Sequence, residues 1–161
     1  MGKLLLPALI ATSMTAATIV VSACAAVPDV PRTVSPELLE SVRKGTVELT
    51  CKSSACESAW LGRVEQAAIF TAQARWAEVS VLLVVTNYPS DLGYYFLGRA
   101  ADGLGGPRAA VKYYEIAKAE LNSNRSCEAI GLCRGLGIPA VIDAELTEAR
   151  RKVNGPNRAA R

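Results

Sequence analysis

Tyr94-Tyr95-Phe96-Leu97-Gly98-Arg99-Ala100-Ala101-Asp102-Gly103-Leu104-Gly105-Gly106-Pro107-Arg108-Ala109-Ala110-Val111-Lys112-Tyr113-Tyr114-Glu115-Ile116-Ala117 is the stretch that decides the fold. Before the glycines, Tyr94, Leu97, Gly98 and Ala101 recur at helical spacing; after them, Ala110, Tyr114 and Ala117 do the same. Gly103, Gly105 and Gly106 stop the first helix. Pro107 starts the second, because a first-turn residue has no intrahelical partner for its amide and proline lacks the hydrogen.

Those seven positions resemble the tetratricopeptide repeat, a helix–turn–helix unit of about 34 residues. The resemblance implies that Tyr94 and Leu97 fill the space between paired helices. It implies too that Gly98, Ala101 and Ala110 let two backbones approach, that Tyr114 packs over the small positions and that Ala117 admits a neighbour. Asn122 stands where such units usually carry proline. Ala67, Phe70, Trp76, Val79 and Leu83 align with a weaker preceding copy, offset from the first by less than the standard period. A Sel-type repeat fits less well, since Gly98 and Ala110 are too close for its longer loop. A generic Ala-rich helical bundle is the plainer alternative. The inner surface of a tetratricopeptide array belongs to the first helix of each pair. By position that implies a partner-binding groove of Leu61, Val64, Ala68 and Thr71 with Leu92, Tyr95, Arg99 and Asp102. Tyr95 and Arg99, one turn apart, suit a peptide contact; ordinary packing by Tyr95 and a local Arg99–Asp102 pair is the rival reading.

Two such units cannot bury their own faces and need caps. Ser35-Pro36 and Gly45 bracket a short helix over 36–44 whose Leu38, Leu39 and Val42 share a face. Thr46–Cys51 alternates apolar and polar residues, as an extended segment does. Ser54-Ala55-Cys56-Glu57 fits a capping box opening a long helix, along which Trp60, Val64, Ala67, Phe70 and Ala74 form one stripe. Trp76–Thr86 is apolar nearly all round. A buried helix fits its position, while its β-branched Val79–Val85 core keeps a buried strand open. Ser90 or Asp91 caps the quoted hairpin. A last helix near 139–153 carries Val141, Ile142, Leu146, Ala149 and Val153 on one side. The expectation is an all-α domain over 36–153, a short tetratricopeptide-like hairpin array with capping helices.

The chain opens with Lys3, then an apolar run Leu4–Val21, then Val21-Ser22-Ala23-Cys24. These four residues match the lipobox of bacterial lipoproteins, and the start of the chain resembles their signal peptide. Small residues admit a peptidase, and the Cys24 thiol is the group able to take a diacylglyceryl. The resemblance implies a cleaved signal over 1–23, acyl chains on Cys24, and Ala25 in the position that directs such proteins to the outer membrane. Each buried methylene contributes about 0.8 kcal/mol, and stable anchoring takes more than one chain. Ala25–Val34, with Pro28 and Pro31, reads as a tether within 24–35. An uncleaved membrane helix or an ordinary signal with a chance cysteine are the alternatives. Residues 154–161 read as a disordered basic tail.

Cys51, Cys56, Cys127 and Cys133 follow Cys24. An even number outside the cytoplasm reads as disulfides. Local closure favours Cys51–Cys56 and Cys127–Cys133; a crossed pairing is the rival, and a four-thiolate zinc site fits the wide spacings poorly. The chain contains no histidine, which removes Ser-His-Asp and Cys-His catalysis and the common histidine-containing metal sites. The formal charge of +3 is no nucleic-acid footprint. Asp143, Glu145 and Glu148 read as a solvated helix face rather than an acid–base couple. No enzyme activity is expected, and no cofactor beyond covalent lipid. The expected function is a lipid-anchored periplasmic scaffold binding a protein of an envelope assembly, of the kind that pilus or secretion pilotins represent. The alternative is an envelope-structure lipoprotein whose basic tail (Arg150, Arg151, Lys152, Arg158, Arg161) contacts an anionic polymer.

Overall fold

Seven α-helices and no strand make up the described residues of the computed structural model, which are 34–133 and 135–155. The signal, Cys24 and the tether through residue 33 lie outside them, as does the tail from Pro156. The helices are α1 (Pro36–Lys44), α2 (Ser54–Leu61), α3 (Val64–Ala72), α4 (Trp76–Thr86), α5 (Asp91–Gly103), α6 (Pro107–Glu120) and α7 (Ala140–Asn154).

Local chemistry sets most of the boundaries. The Ser35 side chain accepts the Leu38 amide, Pro36 occupies the first turn, and Gly45 at φ +74° ends α1 in the left-handed conformation that glycine adopts without strain. Ser90, not Asp91, caps α5 by accepting the Gly93 amide at 3.0 Å. The long helix expected from Ser54 is two. It is capped one residue earlier, by Ser53, and it breaks at Gly62-Arg63. Trp60 is fully buried edge-on to Phe96, and the Arg63 amide turns back to the Trp60 carbonyl at 2.8 Å, so anchoring Trp60 ends one helix before Val64 begins the next. Ala74, expected on the same stripe, falls after α3 with positive φ. Trp76–Thr86 is helical rather than a buried strand: it forms an eleven-residue helix with Val79 to Leu83 all buried.

The quoted hairpin is the centre of the core. α6 packs along α5, and α7 along α6. At Gly98 a Cβ would lie 2.4 Å from the Tyr114 ring, so only hydrogen lets that ring cross the helix. Tyr94 stacks near Tyr113, and Tyr95 lies tilted against Tyr114, with ring centroids 6.5 and 6.2 Å apart. α1 lies across α4, α5 and α6.

Thr46–Cys51 is extended yet pairs with no strand. Val47 and Leu49 point inward, while Thr46, Glu48 and Thr50 are exposed. Side chains take the place of a ladder. The Val47 amide donates to the Tyr113 hydroxyl at 3.0 Å and the Leu49 amide to the Tyr94 hydroxyl at 3.2 Å. That hydroxyl in turn donates to the Leu49 carbonyl, and Asn87 accepts the Thr50 and Cys51 amides through its side chain and its carbonyl. Lys112 holds the Gly45 carbonyl at 2.6 Å. The disulfides pair locally, Cys51 with Cys56 and Cys127 with Cys133. The second closes part of the α6–α7 loop, which is tied to the start of α5 by the Cys127 amide donating to the Asp91 carboxylate at 2.8 and 3.0 Å.

Candidate functional site

The residues expected to line a groove do not form an open one. Val64, Thr71, Leu92 and Tyr95 are buried, Ala68 is half-buried, and Leu61 is exposed on a different helix. Arg99 and Asp102 are half-buried under α7. Arg99 Nη1 meets Glu145 at 2.8 Å and Lys152 Nζ meets Asp102 at 2.6 Å. Neither the Arg99–Asp102 pair nor a free Arg99 is found. Glu145, read as part of a solvated acidic face, is instead the counter-ion for Arg99. Lys118–Asp143 and Arg150–Glu115 lace α7 to α6 on either side of Ile142, Leu146 and Ala149, all buried. The last helix thus caps Arg99 and Asp102, while Val64, Thr71, Leu92 and Tyr95 are buried within the domain.

Under that cover the electrostatics follow from burial. Burial pulls the Arg99 guanidinium down, but the Tyr95 hydroxyl and the Glu145 carboxylate carry it net above its usual value. Burial pushes the Tyr114 phenol up; its hydroxyl has no hydrogen-bond partner among the described residues. Burial likewise pushes Tyr113 up to about 12, against the lowering effect of the Val47 amide. Asp91, fully enclosed, is raised by burial even though the Cys127 and Leu92 amides favour its anion. Its role is to hold the disulfide loop, together with Arg125, which donates to the Pro89 carbonyl at 2.8 Å and to Glu120 at 2.7 Å.

Two open regions remain. Leu61, Ile69, Val84 and Val85 are the exposed large apolar side chains among the described residues, and all lie on α2–α4. α4 is the informative case. A helix that is apolar on every side needs cover on every side, yet Val84 and Val85 are 37% and 45% exposed. The second region is an open cleft of about 260 Å³ between α6 and α7, lined by Arg108, Val111, Arg150, Val153 and Asn154. The apolar excess of Trp76–Thr86 was visible in the sequence as a helix to be buried. The Arg108–Arg150 juxtaposition was not, because the two residues are far apart in the chain and meet only through the α6–α7 packing.

Among the described residues no group of three or more Cys, Asp and Glu side chains is placed to hold a metal ion, and no helix is long and apolar enough to cross a membrane. No protein-family model matches the chain, and no curated protein or solved structure matches it.

Proposed function

We propose that this protein is a non-enzymatic, lipid-anchored scaffold of the bacterial envelope. It is held through acyl chains on Cys24 at the periplasmic face of the outer membrane and binds another protein through the α2–α4 end of its helical domain. The observation that carries the reading is the uncovered side of α4. Val84 and Val85 stand in water on an otherwise enclosed helix, with Ile69 and Leu61 exposed on the two helices before it. Val84 and Val85 are 37% and 45% exposed, so covering each has roughly 1 kcal/mol left to give a partner helix or strap. The lipobox Val21-Ser22-Ala23-Cys24 supports the address, and the local disulfides agree with an oxidising compartment. The mechanism is tethering: an anchored scaffold raises its partner's effective concentration at the membrane without further contacts. The role is that of an assembly or pilotin-type factor for an envelope machine.

The test is a crosslinked pull-down from native membranes, comparing the intact chain with Val84→Ser plus Val85→Ser. The double variant is expected to lose the partner while staying in the membrane fraction. Equal capture by both chains rejects α4 as the binding surface. Intact mass of the native protein tests the anchor, which requires an N-terminus at Cys24 and added acyl mass.

A further inference from the structure

The α6–α7 cleft has a different chemistry from the α4 face. It brings two guanidiniums, Arg108 and Arg150, together with Val111 and Val153. Its volume, about 260 Å³, falls below the roughly 300–1,000 Å³ of clefts that enclose whole small molecules. It therefore suits the end of a larger amphiphile rather than a cofactor. Arg108 makes no ion pair among the described residues, and Arg150 meets Glu115 at 2.9 Å with both side chains more than half exposed. Such a pair in water is weak and readily exchanged.

The basic character continues along one edge. A Cβ on Gly106 would lie 2.3 Å from the Arg43 carbonyl oxygen, and one on Gly45 3.1 Å from Ala109 Cβ, so the end of α1 abuts the start of α6. Arg43, Lys44, Arg108, Lys112 and Arg150 thus share this edge, where Glu40 and Glu115 are the ion-pair partners among the described residues. The N-terminal run joins the domain at the other end of α1. α1 has nine residues, about 13 Å at 1.5 Å each, between the end that receives the N-terminal run and the end that abuts α6. The ten steps from Cys24 to Val34 can span at most about 33–36 Å.

We infer that this edge is a lipid-headgroup site: the phosphate of an anionic phospholipid sits between Arg108 and Arg150, with its glycerol and first methylenes against Val111 and Val153. Guanidinium forks match phosphate oxygens, and the valines select an amphiphile over a bare anion. The phosphate amphiphile follows from the cleft itself; taking it from a bilayer rests on the anchored reading above. Such a contact sets the orientation of the domain on the membrane.

The test titrates the protein as isolated from cells with dihexanoyl phosphatidylglycerol below its micelle concentration, dihexanoyl phosphatidylcholine, inorganic phosphate and the peptide acetyl-Asp-Val-Leu-amide. The readout is the arginine side-chain nitrogen and valine methyl resonances. Phosphatidylglycerol is expected to move Arg108, Arg150, Val111 and Val153 together and to bind at least tenfold more tightly than phosphatidylcholine. Each basic residue near an anionic lipid contributes roughly fivefold, so Arg108→Gln plus Arg150→Gln is expected to weaken binding on the order of 25-fold. Glu115→Gln, which releases Arg150, is expected to tighten it severalfold, a gain that misfolding cannot mimic. Equal binding of inorganic phosphate without valine shifts reduces the cleft to an anion site and overturns the proposal. Tighter binding of the peptide assigns the cleft to protein, and no shift with any probe leaves it without a ligand; either result overturns it. A native N-terminus at Met1 without lipid mass removes the anchored reading but not the headgroup site, which the titration judges on its own.

Discussion

The two ends of this domain are finished differently. At the α5–α7 end, apolar surface is covered and the cover is laced: Ile142, Leu146 and Ala149 are buried, and Glu145, Lys152, Asp143 and Arg150 pair across to α5 and α6. At the α2–α4 end, Leu61, Ile69, Val84 and Val85 are the exposed large apolar side chains among the described residues, and Arg75–Glu78 pairs within one helix turn. A stack of helical hairpins needs both ends closed. One is closed by the chain itself; the other is where we place the partner.

The largest expected effect breaks the covered end. Leu146→Ala removes a buried anchor of α7 and is expected to cost about 2–5 kcal/mol in urea unfolding. A loss below about 1 kcal/mol would mean that α7 is not part of the cooperative unit, and the contrast between the ends would fail. Next is Gly98→Val. The side chain would collide with the Tyr114 ring, and overpacking of this kind costs about 1–3 kcal/mol; a variant as stable as the parent would show that the hairpin can separate freely.

Tyr113→Phe sharpens the account of the extended segment. It leaves the Val47 amide without its acceptor, at about 1 kcal/mol, read by thermal melting. It also has a pH signature. Folded Tyr113 titrates at about 12 and an unfolded tyrosine at about 10. Between those values the folded state keeps a proton that the unfolded state has lost. This contribution to stability is therefore complete below about pH 10 and is lost as the pH rises to about 12. The Phe variant is expected to flatten part of that fall, with Tyr88, Tyr94 and Tyr114, also raised by burial, contributing to the rest. An unchanged alkaline profile would contradict the burial of this phenol.

The smallest effects on stability are at the open end and on the exposed lacing. Lys118–Asp143, with both side chains largely in water, is expected to contribute about 0–1 kcal/mol in a double-mutant cycle. Val84→Ser plus Val85→Ser is expected to leave stability within about 0.5 kcal/mol while abolishing partner capture. That combination separates a binding surface from a structural one.

How far the sequence reached differs along the chain in the same way. The helical class, the hairpin around Gly98 and Tyr114, the end of α1 at Gly45 and the local disulfides were legible, because each rests on spacing within a short stretch. The break at Gly62 was not, since it depends on Trp60 being pinned by Phe96 from another helix. Nor was the fate of Leu92, Tyr95, Arg99 and Asp102. Their positions on α5 were readable, but the burial of Leu92 and Tyr95 and the pairing of Arg99 and Asp102 with Glu145 and Lys152 of α7 are long-range outcomes. Thr46–Cys51 was rightly read as extended. Its partners, the hydroxyls of Tyr94 and Tyr113, could have been suspected only from the need of a buried tyrosine for a hydrogen bond.

The most direct measurement is photo-crosslinking in living cells from a diazirine residue placed at Val85, with Thr147 on the exposed side of α7 as the reference position. The account predicts a discrete protein adduct from Val85, retained in the membrane fraction, and none from Thr147. An adduct from Thr147 with none from Val85, or none from either, would contradict the claim that the uncovered end of the helical stack is the surface at which a partner docks.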